Sequence, residues 1–366
     1  MGVLIILISV FLLFILQENL YLRYWNLNMA AKAEFSEKAI IEGETIIIKD
    51  ELVNDKLLPL PWVHFKYQIK NGSETAFFES ELFHILFHQR IQVKRTRVIP
   101  KRGIYRITGI DLVSYDLLLT KKLVSTVPCT ARLTVYPALI DVEDIIVFHE
   151  KLMGDLITRC FTNEDPYQFR SIRDYQFGDE FKRINFKASA KAGYWQVNTY
   201  EYTREARVLF VLLCDRTSNL SNENEYERAL HLAGTLASII EAEGIPVALV
   251  SNGLVTETGR ELFVPAGCGT DHLETIMEAL AGLNTRKIQR PCAELLSELE
   301  AKTGKNDYYV LISPYRREEL ILRYLEMQMD HIPVSWISPL SKDRLLAEDE
   351  FQNLSEKLPG FAFDMF

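Results

Sequence analysis

The stretch RVLFVLLCD, Arg207–Asp215, decides the fold. Between its terminal Arg and Asp every residue is apolar. A half-exposed strand would alternate, so a run with no polar face fits a central strand of a parallel sheet, buried on both sides. Downstream, ENEYERALHLAGTLASIIEAEG (Glu223–Gly244) places Tyr226, Ala229, Leu230, Ala233, Ala237 and Ile240 on one helical stripe, and Gly244 followed by Pro246 ends it. The alternation continues: strands IPVALVSNG and ELFVPAG, a helix with Leu273, Ile276, Met277 and Leu280 on one side, then CAELLSELEAKTG as helix, YYVLIS as strand, RREELILRYLEMQM as helix and IPVSWIS as strand. This grammar predicts a doubly wound, Rossmann-type α/β domain over 206–345, followed by a C-terminal tail over 346–366.

Residues 34–137 read differently. ETIIIKDELVND, PWVHFKYQI, FHQRIQVKRTRVI, GIYRITGIDLVSYD and ARLTVYP are short β-branched and aromatic runs, with turn signals at Glu42-Gly43, Asn54-Asp55, Asn71-Gly72 and Lys101–Gly103 between them. They predict a β-sandwich, giving an α+β multidomain chain overall. His84 and His88 sit among aromatics and are read as packing residues.

Ahead of this lies GVLIILISVFLLFIL, Gly2–Leu16, uncharged and apolar, then QEN and LYLRYW. Residues 1–27 are read as a transmembrane anchor in the lipid bilayer, with Tyr21, Tyr24 and Trp25 as an interfacial aromatic belt. The rival is a signal peptide cleaved at the small residues near Ala31. No Lys or Arg precedes the apolar run, and Arg23, Lys32 and Lys38 all follow it, which favours an anchor with the larger part in the cytoplasm.

The net charge of −9 and pI near 5.5 exclude a general nucleic-acid binder. Five scattered cysteines without a CxxC pattern indicate neither a disulfide framework nor a zinc site. GxSxG, HExxH, the phosphate-cradling GxxxxGK[ST] and the dinucleotide fingerprint are missing from the sequence. Cys268 with His272 close by is the nucleophile–base pairing left to weigh, and no residue is assigned as catalytic.

One segment fits neither domain type: RDYQFGDEFKRINFKASAKAG, Arg173–Gly193. From Gln168 to Gly193 six bases face three acids in an otherwise acidic chain. The expectation is a semi-buried cover on the α/β sheet, anchored by Tyr175, Phe181, Phe186 and Trp195, with Asp179 pairing Arg183 at helical spacing. GYWQVNTYEYTRE beyond it alternates and predicts an extra strand beside that sheet. Lys187 and Lys191 either pair internally or form a docking face for an anionic surface.

The spacing of Arg173, Tyr175, Gly178, Asp179, Arg183, Ile184, Ser189 and Ala190 resembles the signature of the bacterial and archaeal domain of unknown function 58 family. Phe186 stands where that family usually has Trp, and Asn185 where Asp is common. LVNDKLLPLPWV, KRGIYRITGIDLVSYD and LTVYP resemble the family's β-region. The resemblance implies a signature segment over 138–205, a von Willebrand factor A-like α/β domain, and as partner a MoxR-type AAA+ ATPase or another von Willebrand factor A protein.

Asp215-Arg216-Thr217-Ser218-Asn219 likewise resembles the metal-ion-dependent adhesion site of von Willebrand factor A domains. Asp215, Thr217 and Asn219 would supply oxygens to Mg²⁺, with Thr270 in the separate threonine role. Asn219 replaces a hydroxyl by an amide, and no acid follows VLIS, where Pro314 and Tyr315 stand and Asp307 lies at the other end of that strand. One formal carboxylate implies weak affinity. Three readings follow: a non-enzymatic membrane-anchored adaptor, an envelope enzyme accessory associated with transglutaminase-like proteins, and metal-dependent adhesion.

Overall fold

The computed structural model describes residues 2–141, 150, 153–154, 164–176, 179, 181–202, 207–214, 223–302, 307–314, 318–339 and 364–365. It divides into two units, Met1–Ala138 with Met277–Leu283, and Leu139–Ile276 with Asn284–Phe366.

In the first unit, helix α1 (Gly2–Tyr24) precedes β1 (Met29–Phe35), β2 (Ala39–Ile41), β3 (Thr45–Asn54), β4 (Leu60–Asn71), β5 (Glu74–Ile85), β6 (Gln89–Val98), β7 (Gly103–Tyr115) and β8 (Lys122–Tyr136). The strands form a three-stranded sheet, β1-β3-β6, and a five-stranded one, β2-β8-β7-β4-β5. Alternation explains why both fold. On β3, Ile46, Ile48 and Leu52 point inward, and on β4 Val63, Phe65, Tyr67 and Ile69 do, so the two sheets close on one core in a sandwich-like arrangement. Gly103 opens β7 at φ +147°, where an added Cβ would meet the Asn71 side chain at 2.3 Å. No larger residue fits that approach.

Helix α1 is apolar and exposed along its first part, long and apolar enough to cross a bilayer. Its last turns dock onto the β-unit. Gln17 Nε2 donates to Asp116 Oδ2 (3.0 Å), Glu18 pairs with Lys121 (3.3 Å), and Tyr21 Oη donates to the Pro59 carbonyl (2.8 Å). Tyr21 and Trp25 are buried in the core. This corrects the aromatic-belt reading for both: spaced four apart, they face the β-unit, while Tyr24 stays exposed. His84 packs edge-on against Trp62, as expected, but His88 is exposed in a turn and pairs with Asp55 at 2.8 Å.

In the second unit, β9 (Glu164–Asp174) and β10 (Gln196–Tyr202) make a two-stranded antiparallel sheet of their own. Between them lie a 3₁₀ turn, Phe181–Arg183, and a short helix α2 (Phe186–Ala192). The strand predicted after the signature exists, but its partner is β9 rather than the large sheet.

The large sheet follows: β11 (Val208–Leu212), α3 (Glu223–Ala242), β12 (Val247–Val255), β13 (Glu261–Gly267), α4 (Thr270–Gly282), β14 (Leu283–Ile288), α5 (Cys292–Lys302), β15 (Tyr308–Ile312), α6 (Glu318–Met329), β16 (Val334–Ser338) and β17 (Asp364–Met365). The order is β13-β12-β11-β15-β16-β17, with β14 also pairing β12. β11, β12, β15 and β16 are parallel and central, as RVLFVLLCD required. β13 is antiparallel to β12, so the sheet is mixed: the short turn between them has no room for a crossover helix. Leu209, Val211 and Leu213 pack with α5 and α6, while Val208, Phe210 and Leu212 point to the other face by alternation, and α3 contacts β11 and β12. Gly244, at φ +74°, ends α3 as expected, its N–H bonding the Glu241 carbonyl at 2.8 Å.

Candidate functional site

The signature segment builds a small folded module around one ion pair. Arg173, near the end of β9, grips Asp179 with both terminal nitrogens, Nη1 to Oδ2 at 2.7 Å and Nη2 to Oδ1 at 2.6 Å. The Gln176 N–H adds a third bond to Asp179 Oδ2 at 2.8 Å. These donors, Arg173 foremost, hold the Asp179 carboxyl down to about 2. The main partner of Asp179 is therefore Arg173, not Arg183 as helical spacing suggested, and Arg183 adds only a longer-range attraction. Gly178 lies outside the described residues.

From this clamp the chain rises into α2. Asn185 caps it, Oδ1 accepting from the Ala188 N–H (2.9 Å), and its Nδ2 donates to Asn198 on β10 (2.8 Å). Ser189, buried, donates to the Asn185 carbonyl (2.8 Å) and accepts the Gln196 N–H (2.8 Å), tying α2 to β10. Gly193 closes the helix in the left-handed region. Tyr175 N–H bonds the Trp195 carbonyl (2.9 Å), and Ile184 bridges Val197, both of the latter pair buried. So Arg173, Tyr175, Asp179 and Ser189 share one module, and their roles there are architectural.

Of the four aromatics expected as anchors, Tyr175 is half-buried and the other three are exposed. Phe181 is 76% exposed, Phe186 67%, and Tyr194 and Trp195 54% each. Phe186 and Trp195 meet edge-to-face with ring centres 6.1 Å apart. Ile184, Val197 and Ser189 fill the module's interior, so these aromatics anchor nothing there. Lys187 and Lys191, one turn apart on α2, are exposed beside them. The module thus presents rigid rings and two cations on a well-fixed scaffold, a chemistry suited to gripping another surface.

The carboxyl edge of the large sheet, where open α/β folds carry ligands, is lined by small polar groups tied to backbone. Asn252, fully buried, accepts from Cys214 N–H (2.8 Å) and donates to the carbonyls of Cys214 (2.8 Å) and Arg290 (3.1 Å). Ser313 Oγ donates to the Leu213 carbonyl (2.8 Å). Asp215, Thr217 and Asn219 follow immediately and lie outside the described residues. Thr270 is exposed and begins α4 just past Gly267, which pairs with Val247 at the amino end of β12. It is therefore at the end of the sheet opposite Cys214. No group of three His, Cys, Asp or Glu side chains with metal-holding geometry occurs among the described residues. Asp307, buried at that same amino end, is held bidentately by Arg207 at 2.7 and 2.9 Å. Cys268 is exposed and donates to the Gly244 carbonyl (3.7 Å), while His272 Nε2 binds the Val247 carbonyl (2.7 Å).

Sequence reasoning missed a buried charge cluster in the β-unit. Arg95 on β6 lies within 3.0 Å of Asp50, Glu79 and Glu81, and Arg97 binds Glu79 through Nε (2.7 Å) and Nη2 (3.0 Å). Tyr67 Oη donates to Asp50 at 3.3 Å. Burial pushes the Asp50 carboxyl up to about 6, against the pull of Arg95 and Tyr67. The signal was present: Asp50 falls in the inward register of Ile46, Ile48 and Leu52.

No curated protein matches the chain. Among solved structures, it is similar to the CARDB domain of a Pyrococcus furiosus protein in complex with di-metal ions, at 11% identity over 29% of this chain and 88% of that one, TM-score 0.21. It is also similar to Pseudomonas fluorescens alkylpurine DNA glycosylase AlkC bound to DNA containing an abasic site analog, at 11% identity over 28% of this chain and 30% of that one, TM-score 0.20. Likenesses this slight carry no argument about fold or function. The family comparison agrees with the signature instead: residues 171–340 match the family described as Protein of unknown function DUF58.

Proposed function

We propose that this chain is a membrane-anchored, non-enzymatic adaptor that offers the aromatic and basic face of α2 and its flanks to a protein partner. The family resemblance implies a MoxR-type AAA+ ATPase or another von Willebrand factor A protein as that partner. The observation that carries the reading is the exposed Phe186–Trp195 pair beside Lys187 and Lys191, on a module whose interior is already filled. Large rings left in water around a rigid core are costly unless a partner covers them.

The docking of α1 supports a retained anchor over a cleaved leader. Cleavage near Ala31 would remove Tyr21 and Trp25 from the core and split β1, whose Ala33 is buried against β3. The charge order around α1 favours the cytoplasmic side for both units.

Crosslinking followed by pull-down from membranes, comparing wild type with Lys187→Glu/Lys191→Glu, tests this. Loss of a specific protein from the captured set is expected. An unchanged set would remove the basic face from the proposal.

A further inference from the structure

The β-unit has two unlike ends. Met29 pairs with Asn54, Asn54 with Gln89, Leu60 with Ile85, and Tyr115 with Lys122. These registers bring the connections 25–28, 55–59, 86–88 and 116–121 to one end, the end where Gln17, Glu18 and Tyr21 of α1 dock. That end carries large apolar side chains in water: Leu57 at 78% exposure, Leu86 and Phe87, and the run Leu117–Leu119. The connections at the opposite end, residues 36–38, 42–44, 72–73 and 99–102, carry no exposed large hydrophobic residue.

Leu119 adds a second clue. Its φ is +59°, a left-handed conformation in which Gly or Asn is the low-cost choice, yet a bulky apolar residue occupies it. The tip is held firmly. Asp116, fully buried, accepts from Lys121 N–H and Thr120 Oγ at 2.7 Å each, and from Gln17. The three leucines are thus projected from a fixed base beside α1.

Helix length supplies the constraint. The uncharged run Gly2–Leu16 spans about 22 Å at 1.5 Å per residue, short of the roughly 30 Å hydrocarbon core. Gln17 and Glu18 are tied to Asp116 and Lys121, so α1 cannot sink deeper without carrying that turn with it. Immersing the apolar run brings the leucine-bearing turns to headgroup level.

Resting on the reading of α1 as a membrane anchor, we infer that this end of the β-unit is itself seated in a phospholipid bilayer, with Leu57, Leu86, Phe87 and Leu117–Leu119 entering its interface. Lys122, just behind the leucines and exposed, then lies where an ammonium group meets lipid phosphates. The first unit is thereby held at two points, the span and the turns, and its orientation to the bilayer is fixed.

The test places an environment-sensitive fluorescent amino acid singly at positions 8, 57, 73 and 118 of the full chain, in phosphatidylcholine–phosphatidylglycerol liposomes with acyl-brominated lipid as quencher. All four native side chains are exposed or sit in a turn, so folding survives. Blue-shifted, quenched emission at 8, 57 and 118, with position 73 at the opposite end unaffected, is the expected result. Quenching at 8 alone overturns the inference and leaves the anchor standing, as does equal quenching at 73. Silence at 8 removes the anchor, and the inference with it.

Discussion

The inward-facing strand positions of the β-unit and the surface of the signature module carry aromatic residues in opposite settings. Phe65, Tyr67, Phe83 and Tyr105 lie inside the β-unit, Phe65 packing edge-on against Tyr67 and Phe83 at 5.8 and 5.6 Å. Phe181, Phe186, Tyr194 and Trp195 stand outside the module, two of them paired in water. The same chain therefore buries rings where two sheets supply a core and leaves them out where a helix, a 3₁₀ turn and two strands supply too little. The contrast extends to charge. Asp50, closed in between sheets, has its carboxyl raised, whereas Asp179, gripped by Arg173 inside the module, has its carboxyl lowered. Interior groups of the β-unit hold the fold, and the module's outer rings stand in water.

The largest effect expected from that contrast is at Phe65. Phe65→Ala empties a fully buried position and lowers unfolding stability by about 3–5 kcal/mol, measured by urea denaturation of detergent-solubilised chain. A loss near zero would mean that the two sheets do not share a core.

Next is Asp50. Its folded-state value of about 6 lies above the ordinary 3.8, so the protonated form is the one that folding favours. The stability this contributes is fully present below about pH 4 and is lost as pH rises through about 6. Between pH 4 and 7 the wild type should lose roughly 2–3 kcal/mol relative to Asp50→Asn, at 1.36 kcal/mol per unit. A difference of opposite sign would show that Arg95 outweighs burial.

The smallest expected effect is on the module. Phe186→Ala and Trp195→Ala should each change unfolding stability by no more than about 0.5 kcal/mol, because both rings are already in water. A loss as large as that at Phe65 would erase the contrast.

The sequence made the large sheet readable because RVLFVLLCD has no polar face and each helix shows its stripe. It could not show that β10 pairs with β9. Alternation reports that one face of a strand is buried and is silent on which neighbour lies beside it. It was equally silent on Phe181, Phe186 and Trp195, since aromatic residues amid bases look the same whether the rings lie under or over the chain. Tyr21 and Trp25 were assigned to lipid because they follow an apolar run; only the docking of Gln17 and Tyr21 on the loops of the β-unit shows which way they point. Asp50 was legible in its register and was passed over. Residues Asp215, Thr217 and Asn219 owed their reading to resemblance and lie outside the described residues, while Thr270 lies at the amino end of β12, opposite Cys214.

The central claim is that the module's outer rings meet a protein. A photo-crosslinking amino acid at position 186, with the exposed Phe263 on β13 replaced in a parallel chain as control, tests it in intact membranes. A discrete crosslinked protein from position 186 and none from 263 is the predicted result. No adduct at 186, or the same adducts from both positions, would contradict the account.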